Sequence, residues 1–101
     1  MLGVNADTSA NGGVVLDYQY SDITLNNTGD TIVITSPGPS GAIIDSVSYV
    51  SGFSVSGASA SLDPNAFDAV SNDNLSNWCP STSVFGDGDT GTPGAANDLC
   101  P

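Results

Sequence analysis

Apolar residues recur at every second position in three stretches of the chain, and this is the period of a half-buried β-strand. The pattern predicts strands over about residues 14–20, 31–35 and 42–50. Alternation places one set of side chains on a common face of each strand. The residues on these faces are Leu16, Tyr18 and Tyr20 in the first strand, Ile32 and Ile34 in the second, and Ile43, Val47 and Tyr49 in the third.

The segments between these strands are typical of turns. Residues 36–41 read Ser-Pro-Gly-Pro-Ser-Gly and separate the second strand from the third, which predicts a β-hairpin with a loose turn. From Asp63 onward no period is clear, so residues 63–101 are expected to be loop-rich. With 12 Gly and 6 Pro in the chain, helix has little support, and we expect an all-β fold.

The length of 101 residues corresponds to one domain, which we place over residues 1–101. Hydrophobic residues make up 39% of the chain, and few of them are large. A core this small needs support from cross-links or from neighbouring chains.

The charge of the chain limits the classes of partner that it is expected to bind. It has eleven acidic residues, all Asp, and no Lys, Arg or His, which gives a formal charge of −11. Nucleic acid is not expected as a partner, because phosphate binding depends on Lys and Arg. No apolar stretch approaches the length of about 20 residues that a membrane span needs, so membrane insertion is not expected. The classes of partner that these observations leave are glycans, cations and other protein surfaces.

Two cysteines, Cys79 and Cys100, lie near the end of the chain. Their spacing does not match a metal site, and no His is present to join them. We expect a disulfide that pins the C-terminal segment, with two buried free thiols as the alternative. A disulfide implies an oxidising compartment, which predicts an extracellular location.

Several motifs then occur in an order that resembles the C-terminal part of the bacterial lamin-tail domain. They are Gly29-Asp30-Thr31, Ile44-Asp45-Ser46-Val47-Ser48-Tyr49, Ser61-Leu62, Asn77-Trp78-Cys79 and Gly91-Thr92-Pro93-Gly94-Ala95-Ala96-Asn97. The resemblance implies an immunoglobulin-like β-sandwich, a place outside the cell or on the bacterial cell surface, and an accessory rather than a catalytic role. Members of that family usually begin with further strands, which this sequence lacks. The resemblance therefore implies either a fragment of the domain or an incomplete sandwich that a neighbouring chain completes.

Candidate chemistry in the sequence is sparse. Asp87, Asp89 and Asp98 could supply oxygen ligands to a structural Ca²⁺, although the spacing lacks the full calcium loop. The alternative is that these Asp side chains bond their own backbone in turns. Without His, Lys or Glu there is no ordinary general base, so we expect neither an enzyme nor a cofactor other than calcium.

Two functions are compatible with these observations. In the first, the chain is an extracellular structural subunit that associates through its sheet edges into an oligomer or filament on the cell surface. In the alternative, it is an accessory module that binds a glycan or a cell-wall polymer and forms part of a larger secreted protein.

Overall fold

The computed structural model describes residues 1–101 and contains eight short β-strands and no α-helix, which confirms the all-β class. Three 3₁₀ turns lie between the fifth and sixth strands, at Pro64–Ala66, Ser71–Asp73 and Leu75–Asn77. The strands are β1 (Leu2–Gly3), β2 (Tyr18–Gln19), β3 (Gly29–Thr35), β4 (Ile43–Val50), β5 (Ala60–Leu62), β6 (Trp78–Pro80), β7 (Val84–Phe85) and β8 (Asp89–Thr90).

The strands form four separate two-stranded ladders. β1 and β2 pair in parallel, whereas the β3–β4, β5–β6 and β7–β8 ladders are antiparallel. No ladder shares a strand with another. β3 and β4 therefore each have one edge that no other strand covers, whereas Thr90 of β8 is also bridged to Ala58.

The β3–β4 hairpin is the longest ladder, and it confirms the hairpin that the sequence predicts. Its strands run over Gly29–Thr35 and Ile43–Val50, so β3 begins two residues earlier than the pattern indicates. The N–H of Ser36 donates to the carbonyl oxygen of Ala42 at 2.8 Å and closes the connecting loop. A register shift follows Ile34, which gives the hairpin an irregularity at its loop end.

The strand predicted over residues 14–20 is reduced to the two residues of β2, and this part of the prediction is wrong. β1, its partner, is itself only two residues long. The N–H groups of Asp17 and Tyr20 donate to the carbonyl oxygens of Met1 and Gly3, and no longer strand lies alongside. Alternating apolar residues form a strand only where a neighbouring strand can accept their backbone hydrogen bonds.

Residues 63–101 are loop-rich as expected, but they also contain three short strands. Side chains of turn residues replace much of the missing ladder. The carboxylate of Asp63 accepts a hydrogen bond from the N–H of Asn65 at 2.8 Å. Asp68 accepts from the N–H groups of Val70 and Ser71 at 3.1 and 2.9 Å. These are the local Asx turns that Asp favours in irregular backbone.

Very little of the chain is buried. Only 5 of the 101 residues are, and Tyr49 is the one large side chain among them. A compact protein of this mass exposes about 5,300 Å², whereas this chain exposes 6829 Å². Its radius of gyration is 14.4 Å, against about 12.7 Å for a compact domain of the same length.

None of its helical segments is long and apolar enough to cross a membrane.

Candidate functional site

An apolar groove of about 470 Å³ lies between the β3–β4 hairpin and the β5–β6 ladder. We call it the apolar groove. Eight of the twelve residues that line it are hydrophobic. They include Leu25, Ile32, Val47, Tyr49, Phe53, Ala60, Leu62 and Trp78.

One wall of the groove is a face of the hairpin. The antiparallel register places Ile32 opposite Val47 and Asp30 opposite Tyr49. Residues opposite one another in a ladder project to the same side of the sheet, so period-two alternation collects Ile32, Val47 and Tyr49 on one face. Ile32 remains 46% exposed, because nothing in the chain covers this face completely.

Tyr49 anchors the hairpin to the preceding turn. Its hydroxyl donates to the carbonyl oxygen of Asn26 at 2.9 Å. The side-chain oxygen of Asn26 in turn accepts hydrogen bonds from the N–H and hydroxyl of Thr28. Burial, followed by the negative charge of Asp30, raises the pKa of the Tyr49 hydroxyl. The phenol therefore stays protonated and keeps donating over the whole neutral range.

Aromatic rings form the floor of the groove. Phe53 stacks on Tyr49 with ring centroids 5.1 Å apart, and it meets Trp78 edge-on at 5.4 Å. The indole N–H of Trp78 donates to the carbonyl oxygen of Asn72 at 2.8 Å. Such offset and edge-to-face pairs are the arrangements that aromatic rings prefer. The row of three rings connects the hairpin to the C-terminal segment.

A polar pair lies at one end of the apolar groove. The side-chain N–H of Asn72 donates to the Asp45 carboxylate at 2.7 Å, which fixes the orientation of the amide. As a result, the Oδ1 atom of Asn72 is buried without a hydrogen-bond partner. A buried acceptor left unpaired costs about 1–3 kcal/mol.

The opposite wall is held by cross-links near the chain end. Cys79 in β6 forms a disulfide with Cys100, with their Cα atoms 5.6 Å apart, as the sequence predicts. The N–H of Cys100 donates to Asp63 at 3.0 Å, and the side chain of Asn97 donates to the carbonyl oxygen of Leu62 at 2.8 Å. These contacts fasten the C-terminal residues to the β5–β6 ladder and leave the groove side of Leu62 open.

The three predicted calcium ligands do not form a group that could hold a metal ion. Asp87 lies in the exposed turn between β7 and β8, and Asp89 is the first residue of β8. Asp98 accepts hydrogen bonds from the Ser83 hydroxyl, at 2.6 Å, and from the N–H groups of Ser83 and Thr82. These bonds, with the Ser83 hydroxyl first, lower the pKa of Asp98 to about 2. Asp98 thus acts as a clamp on the backbone before β7.

The sequence does not single out the apolar groove as a site, although its alternation places Ile32 and Val47 each on the apolar face of its own strand. Phe53 lies outside the predicted strands, and Trp78 and Leu62 belong to segments with weak alternation. Asn72 gave no signal, because an Asn in a polar segment is typical of a turn. Only the tertiary pairing of the hairpin with β5–β6 brings these residues together.

Comparison with family models, with curated proteins and with solved structures finds no match to this chain. Function is therefore inferred from the geometry of the apolar groove and from the open strand edges.

Proposed function

We propose that the chain is a non-catalytic structural subunit that associates with further copies through its open strand edges and its apolar groove. The observation that carries this proposal is the exposed surface. The chain exposes 6829 Å², which is about 1,500 Å² more than a compact protein of its mass. An excess of this size is what one partner contributes to a large, obligate interface.

The backbone supports the same proposal. A folded chain of this length makes about 70 backbone–backbone hydrogen bonds, whereas this one makes 34. The unpaired groups of an open strand edge are a template for another strand. β3 and β4 are the longest of these edges, and neither carries a basic residue or a proline to block pairing.

The setting we propose is outside the cell, on a bacterial cell surface. The Cys79–Cys100 disulfide supports it, since such bonds persist in oxidising compartments. The resemblance of the sequence to the C-terminal part of the lamin-tail domain is a second support. In that interpretation the groove is the interior of an immunoglobulin-like sandwich that a neighbouring chain completes.

Sedimentation velocity of the purified chain at micromolar concentration tests the proposal. We expect species larger than the 10.1 kDa monomer that grow with concentration. Substituting Val47→Asp places a charge in the apolar groove and should return the chain to monomer. Val70→Asp adds the same charge at a side chain that is 79% exposed and lies outside the groove, so it should leave association unchanged.

A stably folded monomer for the unsubstituted chain would contradict self-association and favour the second candidate, a glycan-binding module. The partly exposed rings of Phe53 and Trp78, which line the groove, support this alternative, because an aromatic side chain combines a large apolar face with, in Trp, a polar handle. Soluble wall glycans should then quench the Trp78 fluorescence, and Phe53→Ala should abolish the quenching.

A further inference from the structure

We infer that the open edge of β3 binds an extended, basic peptide segment of a different protein, inserted as a strand between β3 and residues 22–25. The surface concerned is a slot of about 490 Å³, with residues 22–25 on one side and residues 30–33 of β3 on the other. We call it the edge slot. This inference goes beyond the proposed self-association, for which the edge of β4 and the apolar groove remain available.

The lining residues place the edge slot along the edge of β3 and not over a face of the sheet. Side chains of consecutive strand residues point to opposite faces, so a cavity over one face is lined by alternate residues. All four of residues 30–33 line the edge slot. β4 pairs with the other edge of β3 over this whole stretch. The slot therefore follows the free edge.

The second wall of the edge slot is a length of backbone that has no partner. The N–H of Gly29 donates to the carbonyl oxygen of Asn26 at 3.3 Å, and this turn reverses the chain between residues 22–25 and β3. Before the turn, none of residues 21–25 takes part in a backbone–backbone hydrogen bond. Two lengths of backbone thus flank one slot without bonding each other across it.

An extended chain is the occupant that this arrangement fits. The unpaired N–H and C=O groups of a strand edge bind a further strand, and peptides are added to sheets in this way. The edge of a second folded sheet could reach β3 only if residues 22–25 moved away, because they line the opposite side of the slot. A single peptide segment enters between the two walls and pairs with β3 where a third strand would lie.

The walls of the edge slot are acidic and apolar. Asp22 lies on one wall and Asp30 on the other. The carboxylate of Asp30 is held by hydrogen bonds from the N–H groups of Asn26 and Thr31, at 3.2 and 2.8 Å. The remaining lining includes Ile23, Leu25, Ile32 and Val33. A complementary segment therefore combines apolar side chains with Lys or Arg.

A copy of the same sequence does not supply such a segment. Residues 1–101 contain no Lys, Arg or His, and the N-terminal amine is paired with Asp17. The formal charge of −11 attracts a cationic segment to the chain and repels an acidic one. Charge complementarity thus selects a different, basic protein as the source of the inserted strand.

Fluorescence anisotropy with labelled synthetic peptides tests the inference. The probe is a peptide of alternating valine and threonine with a lysine at each end, and we expect it to bind at physiological ionic strength. The counterpart with glutamate in place of each lysine should bind at least about tenfold more weakly. The basic peptide N-methylated at every valine and threonine keeps its charge but cannot donate backbone hydrogen bonds, so it should not bind.

A matched pair of variants tests the position of the site. Asp22→Asn and Asp87→Asn each remove one carboxylate from an exposed residue, but only Asp22 lines the edge slot. We expect Asp22→Asn to weaken binding of the basic peptide about threefold and Asp87→Asn to leave it unchanged. Amide chemical shifts of the nitrogen-labelled chain should move at residues 22–25 and 30–33 when the peptide is added.

Four results would overturn the inference. They are failure of the basic peptide to bind, equal binding of the N-methylated peptide, equal weakening by the two variants, and shifts confined to β4. Equal weakening would assign the attraction to net charge alone. In the free chain, nuclear Overhauser contacts between the backbone of residue 23 and β3 would also contradict it, because residues 22–25 would then close the slot themselves. None of these readouts depends on self-association, which sedimentation tests separately.

Discussion

The side chain of Tyr49 connects the β3–β4 hairpin to Phe53 and to the turn that contains Asn26. It is 8% exposed, stacks on Phe53 and donates to the carbonyl oxygen of Asn26. Removing the hydroxyl leaves that carbonyl oxygen without this donor in a half-buried position. The stability of the hairpin therefore depends on a polar atom as well as on the area of the ring.

We expect Tyr49→Phe to lower the free energy of unfolding by about 1 kcal/mol, the usual value for one lost hydrogen bond. Tyr18→Phe is the matched control, because its ring is 64% exposed. Urea unfolding followed by Trp78 fluorescence measures both variants. Equal midpoints for the two would contradict a structural role for the Tyr49–Asn26 bond.

The hydrogen bonds that Asp98 accepts make the stability of the folded chain depend on pH in the acidic range. The pKa of Asp98 is lowered to about 2 by the hydrogen bonds from Ser83 and Thr82, whereas an Asp in an unfolded chain titrates near 4. Because the folded pKa is the lower one, the contribution to stability is fully present above pH of about 4 and declines as pH falls toward about 2.

Asp98→Asn should therefore lower the urea midpoint at pH 7, and its difference from the unsubstituted chain should narrow between pH 4 and pH 2. Asp87→Asn serves as the control, since Asp87 lies in an exposed turn and holds no backbone segment. A difference that stays constant across this pH range would show that the carboxylate charge of Asp98 is not the cause.

Among the elements, the β3–β4 hairpin was predictable because the residues that specify it, in its two strands and the turn between them, are close together in the sequence. Alternation fixes the faces of Ile32 and Val47, and the Pro-Gly-Pro connection fixes the reversal of the chain. The strand at residues 14–20 has equally good alternation, yet only β2 forms there. Periodicity reports which face of a segment is apolar, and it does not report whether a partner strand exists.

The apolar groove was not predictable for a related reason. It joins Ile32 of the hairpin to Trp78 of β6, and their proximity follows from the path of the chain through three 3₁₀ turns with little periodicity. The Cys79–Cys100 disulfide was predictable by counting, because the chain contains only two cysteines. Asp98 was assigned to calcium because an isolated Asp in a loop gives the same sequence signal for a ligand and for a backbone clamp.

Gly29 opens the hairpin in a backbone conformation that side chains rarely adopt, with φ of 136°. A Cβ atom there would also lie 3.0 Å from the carbonyl oxygen of Tyr49 on the paired strand. We expect Gly29→Ala to destabilise the chain by more than about 1 kcal/mol. Gly52→Ala also has a positive φ but meets no atom within 4 Å, so a smaller loss there isolates the effect of the contact. Thermal unfolding by circular dichroism compares the two, and equal losses would assign the whole effect to backbone conformation.

For the whole molecule, charge and apolar surface act in opposite directions. Copies that carry −11 repel each other at low ionic strength, where the screening length is about 30 Å. That length is comparable with the 42 × 32 × 25 Å dimensions of the chain, so every carboxylate contributes. At physiological ionic strength the screening length falls to about 8 Å, and the apolar contact should dominate.

We therefore expect the association constant to rise at least about tenfold when ionic strength is raised from 0.01 to 0.15 M with sodium chloride. Sedimentation equilibrium measures this change. Calcium chloride at matched ionic strength is the control, because any additional gain would report bridging by the divalent ion. An association constant independent of salt would contradict an interface formed against electrostatic repulsion.

The four ladders that share no strand have a consequence for cooperativity. A domain melts as one unit when its elements share hydrogen bonds and a common core. Here backbone hydrogen bonds link Thr90 of β8 to Gly57 and Ser59, directly before β5, but only 5 of the 101 residues are buried and no strand is shared between ladders. In the isolated chain we expect amide hydrogen exchange to be fastest in β1–β2 and slowest in β5–β6, where the disulfide and Asn97 restrain opening. Partnership with another copy would then give the ladders a single melting transition, so that a subunit becomes one cooperative unit only as part of a polymer.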